Sequence, residues 1–309
     1  MPQPLFDRWI VVDWSASAVP KRGKDSIWMA DLGAEGLHLD NPPTRADAMA
    51  LLAERLRAGA ARGHRMIAGF DFPFGYPVGA AARVFGAAPG RAPWRHVWAH
   101  LEQGLEEGPR NANNRFLLAE RLNAAYGPVG PFWGRPAQRK LPALPAKRPS
   151  GYGAVLPAER RLVETRVRRA QPVWKLAYAG AVGSQALTGI AALERLRHQP
   201  GITAQVWPFE TGLGLSRVPQ GSVVLAEIYP SLVDAAVRQA TDAVKDAAQV
   251  RLLAEAFAAL DRKGALGPLF AACPAGLPPD EAAQVVAEEG WILGVGFEAA
   301  LIEALQPKT

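Results

Sequence analysis

The apolar positions of the chain fall first into short unbroken runs. Trp9-Ile10-Val11-Val12 leads into Asp13, Met66-Ile67-Ala68-Gly69-Phe70 into Asp71, and Val223-Val224-Leu225-Ala226 into Glu227. Runs of this length, bounded by turn-forming or polar residues, predict strands covered on both faces of a sheet. Ser26–Ala30 predicts a second strand after the polar turn Lys21-Arg22-Gly23-Lys24, Leu37–Leu39 a hairpin partner, and Ala204–Trp207 a further strand. Helical spacing predicts a helix over Ala46–Ala61, with Thr44 as N-cap three residues before Asp47. Gly183–Arg197, Ser231–Ala240 and Ala243–Leu260 also read as helices. A last pair between Pro279 and Leu305 is broken at Gly290-Trp291.

Between residues 79 and 170 the strand pattern disappears. Trp94–Glu107, Asn114–Ala125 and Ala158–Ala170 predict helices, and Gly127–Gly153 is a proline-rich loop. A connection of that length is too long for a plain loop. The expected fold class is therefore α/β: a mixed β-sheet flanked by helices, with a mostly helical insertion after the fourth strand. Residues 1–78 and 171–309 form the core with its C-terminal helices, and 79–170 a helical, basic, Pro-rich insertion.

Composition narrows the class. The hydrophobic fraction is 49% and the charged fraction 21% over 309 residues, which excludes a disordered or fibrous chain. No apolar run reaches the roughly 18 residues of a transmembrane helix, so no membrane partner is expected. Asp7 interrupts the N-terminal stretch, unlike a secretory signal. Cys273 is the only cysteine, which excludes an intramolecular disulfide and predicts a reducing, cytoplasmic setting. The formal charge is +6, and it is localised: Arg135 to Arg169 holds ten basic residues against Glu159 and Glu164. Such a segment is either a surface for the phosphates of a nucleic acid, with Arg148 and Arg161 among its contacts, or a solvated face.

The candidate chemistry lies at the strand ends. Ligand sites of open α/β sheets sit at carboxyl ends of strands, where Asp13 and Asp71 stand. If their strands are parallel neighbours, the two carboxylates meet and need a cation or a shared proton. Singly, each aspartate reads as a turn cap. A hard divalent ion, Mg²⁺ or Mn²⁺, is the usual answer to paired carboxylates. Glu227, at the end of an apolar strand, calls for a cation or an arginine such as Arg217. Asp246 opens a late helix, a place that the helix dipole alone explains, with Asp242 as its neighbouring alternative. Together Asp13, Asp71, Glu227 and Asp246 are the parts of a two-metal phosphoryl-transfer site. Neither a phosphate-binding GxxxxGK[ST] loop nor a GxSxG elbow occurs.

VVDWSAS at 11–17, IAGFDFPFGYP at 67–77, VWPFET at 206–211, AEIYPS at 226–231 and KDAAQVRLLAEAF at 245–257 resemble the family DUF429, predicted nucleases of ribonuclease-H-like fold. The resemblance implies a ribonuclease-H-like core in which Asp13, Asp71, Glu227 and Asp246 hold Mg²⁺ or Mn²⁺ and cleave a phosphodiester. The family's late helix often carries a second aspartate, where this chain has Gln249 and Arg251. Lys175, Ser184 and Gln185 lie in a further segment similar to the family pattern. With Ser15, in the small-residue loop after Asp13, they are candidate substrate contacts. Two other readings stand beside the nuclease. One is an enzyme of the related actin-like or kinase fold handling a nucleotide or phosphorylated small molecule, including cofactors such as molybdopterin guanine dinucleotide. The other is a non-catalytic binding protein that keeps the fold.

Overall fold

The computed structural model describes residues 3–167, 169–215 and 217–306. Six strands form one mixed sheet: β1 (Arg8–Asp13), β2 (Trp28–Gly33), β3 (Gly36–Asp40), β4 (Met66–Phe70), β5 (Thr203–Val206) and β6 (Ser222–Glu227), in the order β3-β2-β1-β4-β6-β5. The first three are an antiparallel meander, and β1–β4, β4–β6 and β6–β5 are parallel pairs. This is an α/β layered protein whose sheet is compatible with a ribonuclease-H-like fold. Ten α-helices are described: α1 (Arg45–Ala61), α2 (Ala80–Arg83), α3 (Pro93–Gly104), α4 (Arg115–Tyr126), α5 (Leu162–Arg166), α6 (Gly183–Arg197), α7 (Asp234–Val237), α8 (Lys245–Arg262), α9 (Pro279–Gln284) and α10 (Glu298–Ala304). Among the described residues, no helix is long and apolar enough to cross a membrane.

Strand alternation distributes the core between the two faces. Ile10, Val12, Ala68 and Phe70 face one side, packed with Leu52 and Leu56 of α1, Trp98 of α3 and Ile190 of α6. Trp9, Val11, Ile67 and Val224 face the other, packed with Leu253 and Phe257 of α8 and Leu293. Segment 79–170 contributes to the first of these cores: Trp94, Phe116 and Phe132 belong to the same buried cluster as the sheet.

Several elements depart from the sequence expectation. β2 begins two residues late and runs on through Asp31, because Arg8 of β1 donates to both carboxylate oxygens of this fully buried aspartate, each at 2.7 Å. The apolar run alone ends at Ala30. The helix expected over 158–170 shrinks to α5, since Val167 turns extended. Ser231–Ala240 becomes a 3₁₀ turn, Pro230–Val233, followed by α7. Thr44 caps α1 as expected, accepting from the Asp47 N–H at 3.1 Å.

The turn after β4 is pinned from the C-terminal side. Residues 285–289 form a π-turn. Its Glu288 accepts the Gly79 and Ala81 N–H groups, and its Glu289 those of Val78 and Leu162. Gly75 passes so close that an added Cβ would overlap the Glu288 and Glu289 carbonyl oxygens. Gly75→Ala is therefore expected to cost about 1–3 kcal/mol through overpacking. The check is a lower urea midpoint at unchanged slope, and a wild-type midpoint would mean that the turn yields freely.

Candidate functional site

The parallel register sets Val12 of β1 beside Phe70 of β4, so the next residues, Asp13 and Asp71, leave adjacent strands together. Their carboxyl groups are close enough for each to bear on the proton affinity of the other. The Trp14 N–H also donates to Asp71 Oδ1 at 2.6 Å. Burial pushes both acids up, Asp71 to about 6 and Asp13 well above the usual carboxylate range, where the Asp71 charge adds to the effect. The Trp14 donor favours the anion on Asp71, and the Asp71 charge favours protonation of Asp13. Asp246, in the first turn of α8, raises both aspartates further through its charge. It is fixed by the Asp25 N–H, which donates to its Oδ2 at 2.6 Å. Asp25 itself is held at φ 53° and adds a further negative charge near Asp13.

Glu227 takes the other of its two expected routes. Arg161 donates Nη2 to its Oε1 at 2.6 Å and Nη1 to its Oε2 at 2.8 Å, and the Phe74 N–H reaches Oε2 at 2.9 Å. Both oxygens are thus engaged, and Arg217 is not the partner. The same guanidinium binds Glu164 through Nε at 2.8 Å and the Glu289 carbonyl through Nη1 at 2.9 Å. Burial opposes the Arg161 charge, but Glu227 and Glu164 more than offset it and hold the group protonated. The expected set of four metal-ligating carboxylates is therefore not assembled. Asp13 and Asp71 meet on the cavity wall, Asp246 contributes its charge from outside that lining, and Glu227 faces the same cavity as half of an ion pair. Among the described residues, no three His, Cys, Asp or Glu side chains form a ready metal cage. Asp242 is clamped by Arg251, at 2.5 and 3.0 Å, and does not line the cavity.

The cavity over these groups is about 360 Å³, the lower end of the small-molecule range. Asp13 and Asp71 line it together with Arg161, Glu227, Gln185 and Arg169. Gln185 donates to the Trp14 carbonyl at 2.7 Å, which ties α6 to the end of β1. The other expected substrate contacts are engaged within the protein. Ser184 donates to the Leu176 carbonyl at 2.6 Å. The Lys175 ammonium binds the Ala179 carbonyl at 2.7 Å and lies over Trp133. Ser15 Oγ accepts the Ser17 N–H at 3.3 Å, and the Ser15 carbonyl accepts from Arg45. Arg148 makes a bidentate pair with Glu159, both contacts at 2.6 Å.

That pattern extends through the basic segment. Arg166 pairs with Glu281, Arg169 with Asp234, and Arg135 and Arg160 reach backbone carbonyls. Arg168 lies outside the described residues. Much of the local positive charge therefore answers acids and carbonyls of the same chain.

Arg45 and Asp25 were not legible as site residues. Arg45 reads as an ordinary first-turn residue, yet it is buried, paired with Glu107, and donates to the Ser15 and Ser17 carbonyls at 3.0 and 2.7 Å. It thereby fixes the loop that follows Asp13. Asp25 could have been found only as an acid in the polar turn before β2. No family model matches this chain, and comparison with curated proteins and with solved structures finds no similar protein.

Proposed function

We propose that this protein is a divalent-cation-dependent phosphodiester hydrolase of ribonuclease-H-like type, with Asp13 and Asp71 as its cation-holding pair and Asp246 in support. One observation carries the reading: two carboxyls at the ends of adjacent parallel strands, both with raised proton affinity, lining one cavity. Without a cation, such a pair must keep a proton or suffer repulsion. The donor set fits Mg²⁺ or Mn²⁺, which bind through one or two carboxylates and leave the remaining positions to water and substrate phosphate. When bound, the ion polarises a phosphoryl oxygen and acidifies water. The chain does the rest. Asp13 releases its proton on binding, the Trp14 N–H keeps Asp71 oriented, and the Arg161–Glu227 pair braces the end of β6 beside them. The sequence resemblance to DUF429, a family of predicted nucleases, is in keeping with this reading.

The pairing of the segment's arginines with acids and carbonyls of the same chain favours a second reading for the substrate, a nucleotide-sized phosphorylated molecule in place of a long polynucleotide. The experiment is Mn²⁺ calorimetry on the folded protein, followed by hydrolysis of bis(p-nitrophenyl) phosphate and of oligonucleotides with Mn²⁺ or EDTA. Metal-dependent cleavage is expected, with a shallow salt dependence of binding. A logarithmic salt slope steeper than about −3 would restore the basic segment as a phosphate-tracking surface. A folded protein that neither binds Mn²⁺ nor cleaves would leave the non-catalytic reading.

A further inference from the structure

Beside the carboxylate cavity lies a second, more open one of about 410 Å³. Ser15, Ser17, Arg115, Tyr178, Ser184 and Gln185 line it. Ala181 and Gln185 line both cavities, so the two adjoin. Their charges are opposite. The first is floored by aspartates, and the second is built around Arg115, the first residue of α4. Arg115 donates Nε to Ser184 Oγ at 3.0 Å and Nη1 to Asn113 Oδ1 at 2.8 Å. Among the described residues its Nη2 has no protein acceptor, and no carboxylate stands within ion-pair distance of its guanidinium.

This sets Arg115 apart from Arg148, Arg161, Arg166 and Arg169, each of which has an acid partner. The surroundings make the lack of one costly. Arg139 shares the Phe116 ring with it, their guanidinium carbons lying 5.2 and 4.5 Å from the ring centroid. Arg45 is a further neighbouring cation, and the nearby Glu107 is already paired with it. Burial, then the charges of Arg45 and Arg139, bring the Arg115 guanidinium down to about 10. An anion is the group that relieves such a site. The N-terminus of α6, with no side-chain cap, opens on the same wall at Ser184 and Gln185.

We propose that this second cavity is a phosphate subsite, and that the substrate therefore carries two phosphate groups, one at Asp13 and Asp71 and the other at Arg115. The inference rests on the reading of the neighbouring cavity as a phosphodiester site and names its substrate class. Phosphate suits the cavity better than a carboxylate because the free Nη2 of Arg115 and the undonated Ser15 hydroxyl face a space that a tetrahedral, doubly charged group can fill, with the Arg139 charge close behind Phe116.

The test is calorimetric titration of the full-length protein with inorganic phosphate, without divalent cations. The wild type is expected to bind phosphate at least about tenfold more tightly than acetate. Arg115→Gln weakens phosphate by about tenfold or more, the loss of a charge-assisted hydrogen bond. Arg139→Gln, at an exposed position that leaves the fold intact, weakens it severalfold. Asp13→Asn leaves phosphate binding in place. With Mn²⁺ present, a nucleoside 3′,5′-bisphosphate binds more tightly than the 5′-monophosphate, and Arg115→Gln removes the difference. Absence of phosphate binding by the wild type, wild-type affinity in both arginine variants, or equal affinity for the two nucleotides would each overturn the proposal. A failed subsite leaves Mn²⁺ binding intact, and a failed metal site leaves metal-free phosphate binding intact, so the two failures are distinguishable.

Discussion

Asp13→Asn is expected to abolish Mn²⁺ binding and metal-dependent cleavage while making the metal-free protein more stable at neutral pH. The two effects have one cause. In the folded chain Asp13 and Asp71 face each other, and burial raises both above their unfolded values, Asp71 from 3.8 to about 6. An acid with a raised folded pKa binds more protons folded than unfolded, so its contribution is fully present below the unfolded value and is lost as pH rises through the folded one. Metal-free stability should therefore fall between pH about 4 and 6 on account of Asp71, and further as Asp13 loses its proton. The Asp71 shift corresponds to at most about 3 kcal/mol, less where cavity water reaches the pair. Asparagine is neutral in both folded and unfolded chains, keeps a hydrogen-bond donor toward Asp71, and flattens the profile. Thermal unfolding from pH 4.5 to 8 in EDTA is the measurement, with a gain of a few degrees at pH 7.5 expected for the variant. Saturating Mn²⁺ should stabilise the wild type, by about 2.7 kcal/mol at a hundred times Kd, and leave Asp13→Asn unmoved. A variant that is less stable in EDTA and still responds to Mn²⁺ would sink the cation-pair reading.

Each half of that pair was readable because an aspartate after an apolar run is a local signal, with only the pairing of the two strands left as a condition. Two apolar runs predict central strands, and an aspartate directly after each apolar run puts a carboxylate at a strand end. Parallel pairing of β1 with β4 then brings the two together without further information. The partner of Glu227 was hidden for the opposite reason. Arg161 is 66 residues away in sequence, within a run of arginines whose composition is the same whether they face water or the core. Periodicity could not separate them either, because α5 is only five residues long and has no repeating face. Asp31 shows the same blindness on a smaller scale. A carboxylate inside a strand ends an apolar run, but the Arg8 fork two strand positions before Ile10 makes its burial tolerable. The sites that pattern reading missed are thus the ones where a distant opposite charge decides whether a polar residue can be inside.

The Arg161 cluster is where the largest loss of stability is expected. Arg161→Met fills similar volume but strands Glu227 and Glu164, both almost fully buried, without a cation. Removing one partner of a buried ion pair costs about 3–5 kcal/mol, because the remaining charge has neither water nor a counter-ion. Here two carboxylates lose the guanidinium that pairs them, and the Glu289 carbonyl loses a donor, so the upper part of that range applies. Guanidinium chloride unfolding measures it, and adding Glu227→Gln to Arg161→Met should recover part of the loss through a positive coupling energy. The single variant Glu227→Gln separates bracing from chemistry. If Glu227 acts only through Arg161, the variant loses stability and still binds Mn²⁺ with affinity near wild type, the reverse of Asp13→Asn. If instead it folds as stably as the wild type and fails to bind Mn²⁺, the ion pair opens on metal binding and Glu227 rejoins the carboxylates as a ligand.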